Sequence, residues 1–117
     1  MVDMSECIFC KIIDGKIPST KVYEDENVVA FRDLHPQAPV HQLFIHKRHT
    51  QNINELTKLD PSQLGDLFKA IQIYTEKSDL SKNGFRVVTN QGHHAGQTVF
   101  HTHLHVLGGG PLSHFGS

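Results

Sequence analysis

The 117 residues predict an α+β fold: a five-stranded antiparallel sheet with one long and one short helix. Three observations carry this. Apolar runs of strand length come in groups joined by short turns, a single long amphipathic stripe lies between the third and fourth runs, and strand and helix do not alternate as they would in βαβ units. With 38% hydrophobic residues, a chain this short suits one domain over residues 1–117, with a modest core that dimerisation or a bound metal would supplement.

Ile8, Phe9, Ile12 and Ile13 have the spacing of a short helix, stopped by Asp14-Gly15. Lys21 to Glu24 and Val28 to Phe31 read as a hairpin turned at Asp25-Glu26-Asn27. The second strand is apolar throughout, as a strand covered on both faces would be. Pro36 and Pro39 break the next segment into a loop, and Gln42 to His46 form the third strand. Asp60 is a suitable N-cap and Pro61 a suitable first residue for the long helix, whose stripe is Leu64, Leu67, Phe68, Ile71 and Tyr74. Phe85 to Thr89 make a fourth strand, and the loop from Asn90 to Gln97 leads into a fifth over 98–107.

The bulk properties remove several function classes. A net charge of −1 gives no basic stripe for long nucleic acid, though a small phosphorylated ligand needs none. No apolar run approaches the length needed to span a bilayer, and MVDMSECIFC has no signal-peptide core. The expected compartment is the cytosol, with the nucleus as a second candidate. In a reducing compartment Cys7-x-x-Cys10 reads as metal-binding or redox-active, since two intervening residues make a poor structural disulfide.

The chemistry concentrates in HTHLH. On an extended strand, His101, His103 and His105 share one face while Thr102, Leu104 and Val106 face apolar packing. A neutral imidazole is a nucleophile and its protonated form an acid, so this face could attack phosphorus and hold phosphate oxygens. Gly96, Gln97 and Thr98 precede it closely enough to bring backbone amides to the same phosphate. A metal reading competes for these residues. Cys7 and Cys10 need two further ligands for a closed zinc site, and His49 with His101 would complete it, clipping the N-terminal turn to the sheet. Unligated thiols packed as small apolar groups are the plain alternative. His41 and His46, at the ends of a strand, are expected to be surface or partner groups; His93 and His94 are expected to be solvated. His35 and His114 have no assignment. Asp33, at the end of an apolar strand, suits recognition of sugar hydroxyls beside a base pocket, although a turn role is the commoner one.

Taken together these residues resemble the histidine triad (HIT) family, in particular its HINT branch. The signature alternates histidine with apolar residues, and here it runs from His101 to Leu107 with Thr102 as its one departure. Flanking likenesses include Cys7 to Ile13, Ile17-Pro18-Ser19, Val29 to Asp33, Pro36 to Pro39 and Gly96 to Phe100. The resemblance implies a purine nucleoside phosphoramidase that uses no metal in its chemistry, with His103 as nucleophile and His105 on the phosphate. It further implies Gln97 and Thr98 near the scissile bond, and Gly96 and Asn90 against the ligand. Asp33 would hold the ribose, and Ile8, Phe9, Ile12, Phe31 and Leu34 would surround the base. Structural zinc on Cys7, Cys10, His49 and His101 follows from it too, as does a homodimer with a ten-stranded sheet, joined through the long helix and fourth strand. A second enzymatic reading is a dinucleoside polyphosphate hydrolase or nucleotidyl-transferase of a sister branch, and a third, of another class, is a zinc-stabilised adaptor that binds nucleotide and protein partners with incidental turnover. The sequence departs from the family in lacking a tryptophan in the ending Gly110 to Ser117, and in having His46 where proline is usual.

Overall fold

The computed structural model describes residues 6–113, so His114 and the last part of the tail lie outside the described residues. Five strands form one antiparallel sheet: β1 (Lys21–Glu24), β2 (Val28–Arg32), β3 (Val40–His46), β4 (Phe85–Val88) and β5 (His103–Gly108), in the order β1-β2-β3-β5-β4. Helix α1 (Ile8–Ile13) precedes the sheet, while α2 (Ile53–Leu59), α3 (Ser62–Lys77) and α4 (Leu80–Asn83) lie between β3 and β4.

The strand alternation divides the core into two layers. Val28, Ala30, Phe44, Leu104 and Val106 pack with Leu56, Leu67, Ala70, Ile71 and Leu80 on the side of α2 to α4. Val29, Phe31, Leu43 and Ile45 pack with Cys7, Phe9 and Ile12 on the other side. Both faces of β2 and β3 are thus covered, which explains why neither strand alternates apolar with polar residues. Register then decides where the histidines go. His103 pairs with Ile45 and His105 with Leu43, which places both on the α1 face.

The fifth strand is shorter at its start than the expected 98–107. Ile45 opposite His103 is the last ladder pair, because β3 ends at His46 and its chain turns away. Residues 98–102 therefore run as an irregular segment, held by Thr102 N–H donating to Thr50 O at 2.7 Å. The long helix starts at Ser62, not Pro61, yet Asp60 still caps it by accepting from the Ser62 amide at 3.1 Å. Two further short helices, α2 and α4, were not expected. The start of α2 carries a variant of the capping box, with Glu55 N–H donating to Asn52 Oδ1 and the amide of Gln51, one residue before the cap, donating to Glu55 Oε1.

Candidate functional site

A cleft of about 460 Å³ opens on the α1 face of the sheet. Nine of the residues proposed from sequence line it: Ile8, Phe9 and Ile12 from α1; Phe31, Asp33 and Leu34 from the end of β2; and Thr98, His103 and His105. One wall is apolar, with Phe9 edge-on to Phe31 at 5.3 Å between ring centres and edge-on to His103 at 5.1 Å. A second cavity of about 440 Å³, around Val40, Asp79 and Gly109, is as large but has no histidine or cysteine in its wall. Chemistry, not size, selects the first.

Asn90, Gly96 and Gln97 do not line the cleft. The Gln97 side chain is buried and its amide is spent on its own loop. It accepts from Gly92 N–H and donates to the Gln51 and Val99 carbonyls at 2.7 and 3.2 Å. An irregular loop crossing a sheet end leaves backbone groups that need such partners. Gly96 follows the 3-10 turn His93–Ala95 with φ +81°, a conformation that favours glycine, and a Cβ there would meet nothing within 4 Å. Its glycine serves the turn; no close approach demands it. His93 and His94 are exposed, as expected.

The histidines form an ordered hydrogen-bond chain. His103 Nδ1–H donates to His101 O at 2.7 Å, so its unprotonated ring nitrogen is Nε2. His41 Nδ1 accepts from Gln37 N–H at 2.9 Å, which places the His41 proton on Nε2. That proton is directed at His105 Nδ1, 2.9 Å away, with Asp33 Oδ2 at 3.4 Å. His105 accepts at Nδ1 and therefore carries its own proton on Nε2. The cleft thus offers a lone pair on His103 and an N–H on His105, side by side with ring centres 5.1 Å apart.

Burial keeps this set uncharged. It pushes His103 and His41 below the ordinary imidazole range, with Asp33 opposing in both cases. His105 is pushed down to about 4 by burial and by the neighbouring His103 and His41. His41 corrects the expectation of a surface group, since only 5% of it is exposed. Its signal was present in the sequence: His41, Leu43 and Ile45 alternate onto one strand face. Asp33 combines two roles, accepting from His35 N–H at 2.8 Å as a turn residue while its other oxygen faces His41.

The four expected metal ligands converge beneath the cleft. Ligand atoms of Cys7, Cys10, His49 and His101 all lie within 4.8 Å of one another. Cys10 Sγ is 3.2 Å from His49 Nδ1 and 3.6 Å from His101 Nδ1, and the two Nδ1 atoms are 3.1 Å apart. A tetrahedral zinc with ordinary bond lengths would hold such donors about 3.3 to 3.8 Å apart. His101 Nε2–H donates to His46 O at 2.9 Å, fixing the tautomer that frees Nδ1 for a metal. Without a cation the cluster is electrostatically poor. Burial and the neighbouring Cys7 push the Cys10 thiol up to about 12, and burial pushes His101 down to about 4. A divalent cation would reverse the thiol's preference, so the donor set fits zinc.

Asp33, His41 and His105 are clustered as closely. Their bonding argues against a cation. With Gln37 N–H already on His41 Nδ1, a metal on Nε2 would require the ring to lose both protons.

This fold and site define a nucleotide-sized cleft with paired histidines above a Cys2His2 cluster, and the comparisons give that class a family. The model of the HIT domain matches residues 14–112. The purine nucleoside phosphoramidase of Escherichia coli K12 is 40% identical over 107 residues, covering 92% of this chain and 90% of the relative. A histidine triad protein from Clostridium difficile superposes with a TM-score of 0.91 at 40% identity, over 98% of this chain and 99% of that one. A HIT family hydrolase from Clostridium thermocellum gives 0.87 at 45% identity, over 92% and 94%. The chain belongs to the HIT family.

Proposed function

We propose that the protein hydrolyses the P–N bond of purine nucleoside 5′-phosphoramidates through a nucleotidyl-His103 intermediate. The observation that carries this is the His103 tautomer: Nδ1–H held by the His101 carbonyl at 2.7 Å, with the Nε2 lone pair left for attack. Attack on the α-phosphorus forms an N–P bond and breaks the bond to the leaving nitrogen, which departs as the amine after taking a proton from solvent, a proton that the hydrolysis step returns. The His101 carbonyl stabilises the positive charge that the His103 ring gains. Water then cleaves the N–P bond and releases the nucleoside monophosphate. His105 Nε2–H donates to a non-bridging oxygen, and His41 keeps that proton in place by donating to His105 Nδ1.

The remaining roles follow from position. Ile8, Phe9, Ile12, Phe31 and Leu34 take the purine, Asp33 the ribose hydroxyls and Thr98 the phosphate. Gln97 acts by shaping the loop that carries Thr98. Zinc on Cys7, Cys10, His49 and His101 fixes α1, and with it the base wall, to the sheet; when bound it supplies cross-linking, and no step of the reaction uses it. We further propose that residues 1–117 act as one domain and that two copies pair through α3 and the edge strand β4. Phe68 and Phe85, 49% and 37% exposed, border an apolar groove there with Ile71 and Val87. No helix among the described residues is long and apolar enough to cross a membrane, and the cytosol is the compartment proposed.

The test is turnover of adenosine 5′-phosphoramidate. His103→Ala should lower it roughly 10³-fold or more while AMP binding persists. Nucleotide binding without turnover in the unaltered protein would leave the adaptor reading instead.

A further inference from the structure

His46 and Asp66 form a pair of polar side chains that the proposed reaction does not use. His46 is 6% exposed and closes β3; its Nε2–H donates to Asp66 Oδ2 on α3 at 2.9 Å. Its other nitrogen, Nδ1, accepts from the Arg48 amide at 3.1 Å. That bond folds the chain back on itself across the turn that delivers His49. The His46 carbonyl, in turn, accepts from His101 Nε2–H at 2.9 Å. One residue is therefore linked to both histidines of the Cys2His2 cluster, to His101 directly through its carbonyl and to His49 through the Arg48 amide that its ring holds.

We infer that His46 is a positioning residue for the metal cluster, with Asp66 as the anchor that ties it to α3. The inference rests on the zinc reading above. A ring in this place has to satisfy two nitrogens out of water, and it does so with one backbone amide and one carboxylate. Asp66 fixes the ring tautomer: with the proton held on Nε2, Nδ1 is left as an acceptor for Arg48 N–H. Losing the carboxylate frees the ring to rotate or change tautomer, and Arg48 N–H then loses its partner. The His46–His49 turn is loosened where it has to hold His49 Nδ1 within 3.1 Å of His101 Nδ1. Partners that bond a metal ligand directly typically change metal binding about 10- to 100-fold when lost, and the His46 ring and Asp66, acting on His49 through the Arg48 amide, belong at the lower end of that range.

The experiment measures Zn²⁺ affinity of the full chain by competition with a chromophoric chelator, and the Co²⁺ absorption spectrum of the same proteins. His46→Ala and Asp66→Ala should each bind Zn²⁺ about 10-fold more weakly and shift the Co²⁺ bands. Asp66→Asn keeps an oxygen acceptor for His46 Nε2–H and should stay within a few-fold of the unaltered protein. A merely structural role would lower thermal stability in all three without this ordering of affinities. If His46→Ala does not fold, Asp66→Ala against Asp66→Asn carries the comparison alone. Equal Zn²⁺ affinity in Asp66→Ala and the unaltered protein would overturn the inference. An unaltered protein that takes up no Zn²⁺ would remove it together with the zinc reading.

Discussion

At the residue scale, proton placement is the property that matters, and it is set by backbone amides and carbonyls. Gln37 N–H fixes His41, His41 fixes His105, and the His101 carbonyl fixes His103. The same burial that keeps these rings uncharged makes stability depend on pH. The folded pKa of His105 is about 4 and that of His41 is lowered, whereas the unfolded chain binds protons near 6.5. The unfolded state therefore binds more protons below about 6.5, so stability is full above that value and declines as pH falls toward 4. Urea unfolding should show a lower midpoint at pH 5 than at pH 7.5, and His105→Asn should decline less. Equal declines in the two proteins would contradict the assignment. The shared face of His103 and His105 was legible in the sequence because period 2 is a strand property, whereas His101 lies in the irregular segment before the strand. The true setting of Gln97 was not legible: its partners, Gln51 and Gly92, are brought to it only by loop paths that carry no period.

At the element scale, the site is held by short pieces that would not be stable alone. Helix α1 has six residues and is capped by Cys7, whose Sγ accepts from Cys10 N–H at 3.5 Å. Its place on the sheet comes from Phe9, Ile12 and the cluster below. Purified protein is expected to hold about one Zn²⁺ per chain, as the four-ligand stoichiometry requires. Cys7→Ser/Cys10→Ser should lose it and melt at lower temperature, a result that metal analysis and calorimetry would check together. The β1–β2 hairpin depends on Asp25, whose Oδ1 accepts from the Asn27 and Val28 amides at 2.8 Å each while Oδ2 accepts from Tyr23 at 2.7 Å. Burial acts to raise its pKa, but Tyr23, the two amides and Lys47 outweigh it and the net shift is downward. Asp25→Ala should cost about 1–3 kcal/mol above pH 5, and the difference should shrink in acid as the carboxylate is protonated. Strands β1 to β4 and the long helix could be read from apolar spacing and from Asp60-Pro61. Helix α2 was missed although its capping box was in view, because Ile53 and Leu56 give too short a stripe to establish a period.

At the scale of the whole molecule, the two core layers divide the work. The layer under α3 contains Phe44, Leu56, Leu67 and Leu104 and supplies stability; the layer under α1 carries the cleft and the cluster. Stability and chemistry meet at β3 and β5, which contribute side chains to both. The outer side of α3 and β4 carries an apolar groove, with Phe68 and Phe85 exposed beside it. Sedimentation should find a dimer at micromolar concentration, and Phe85→Glu should shift it toward monomer. A monomer in the unaltered protein would remove the proposed pairing. The fold class was readable because strand pairs and one long helix leave few arrangements. The stripe of α3 does not decide the proposed pairing between copies, since it faces its own core at Leu67 and Ile71 and only Phe68 of it is exposed.

The central claim is a covalent nucleotide on His103, and acid-quenched mass spectrometry during turnover of adenosine 5′-phosphoramidate tests it most directly. The expected result is a nucleoside monophosphate adduct on the peptide containing His103, strengthened when hydrolysis is slowed and absent in His103→Ala. Turnover with the adduct on another residue, or with none under any quench, would contradict the account.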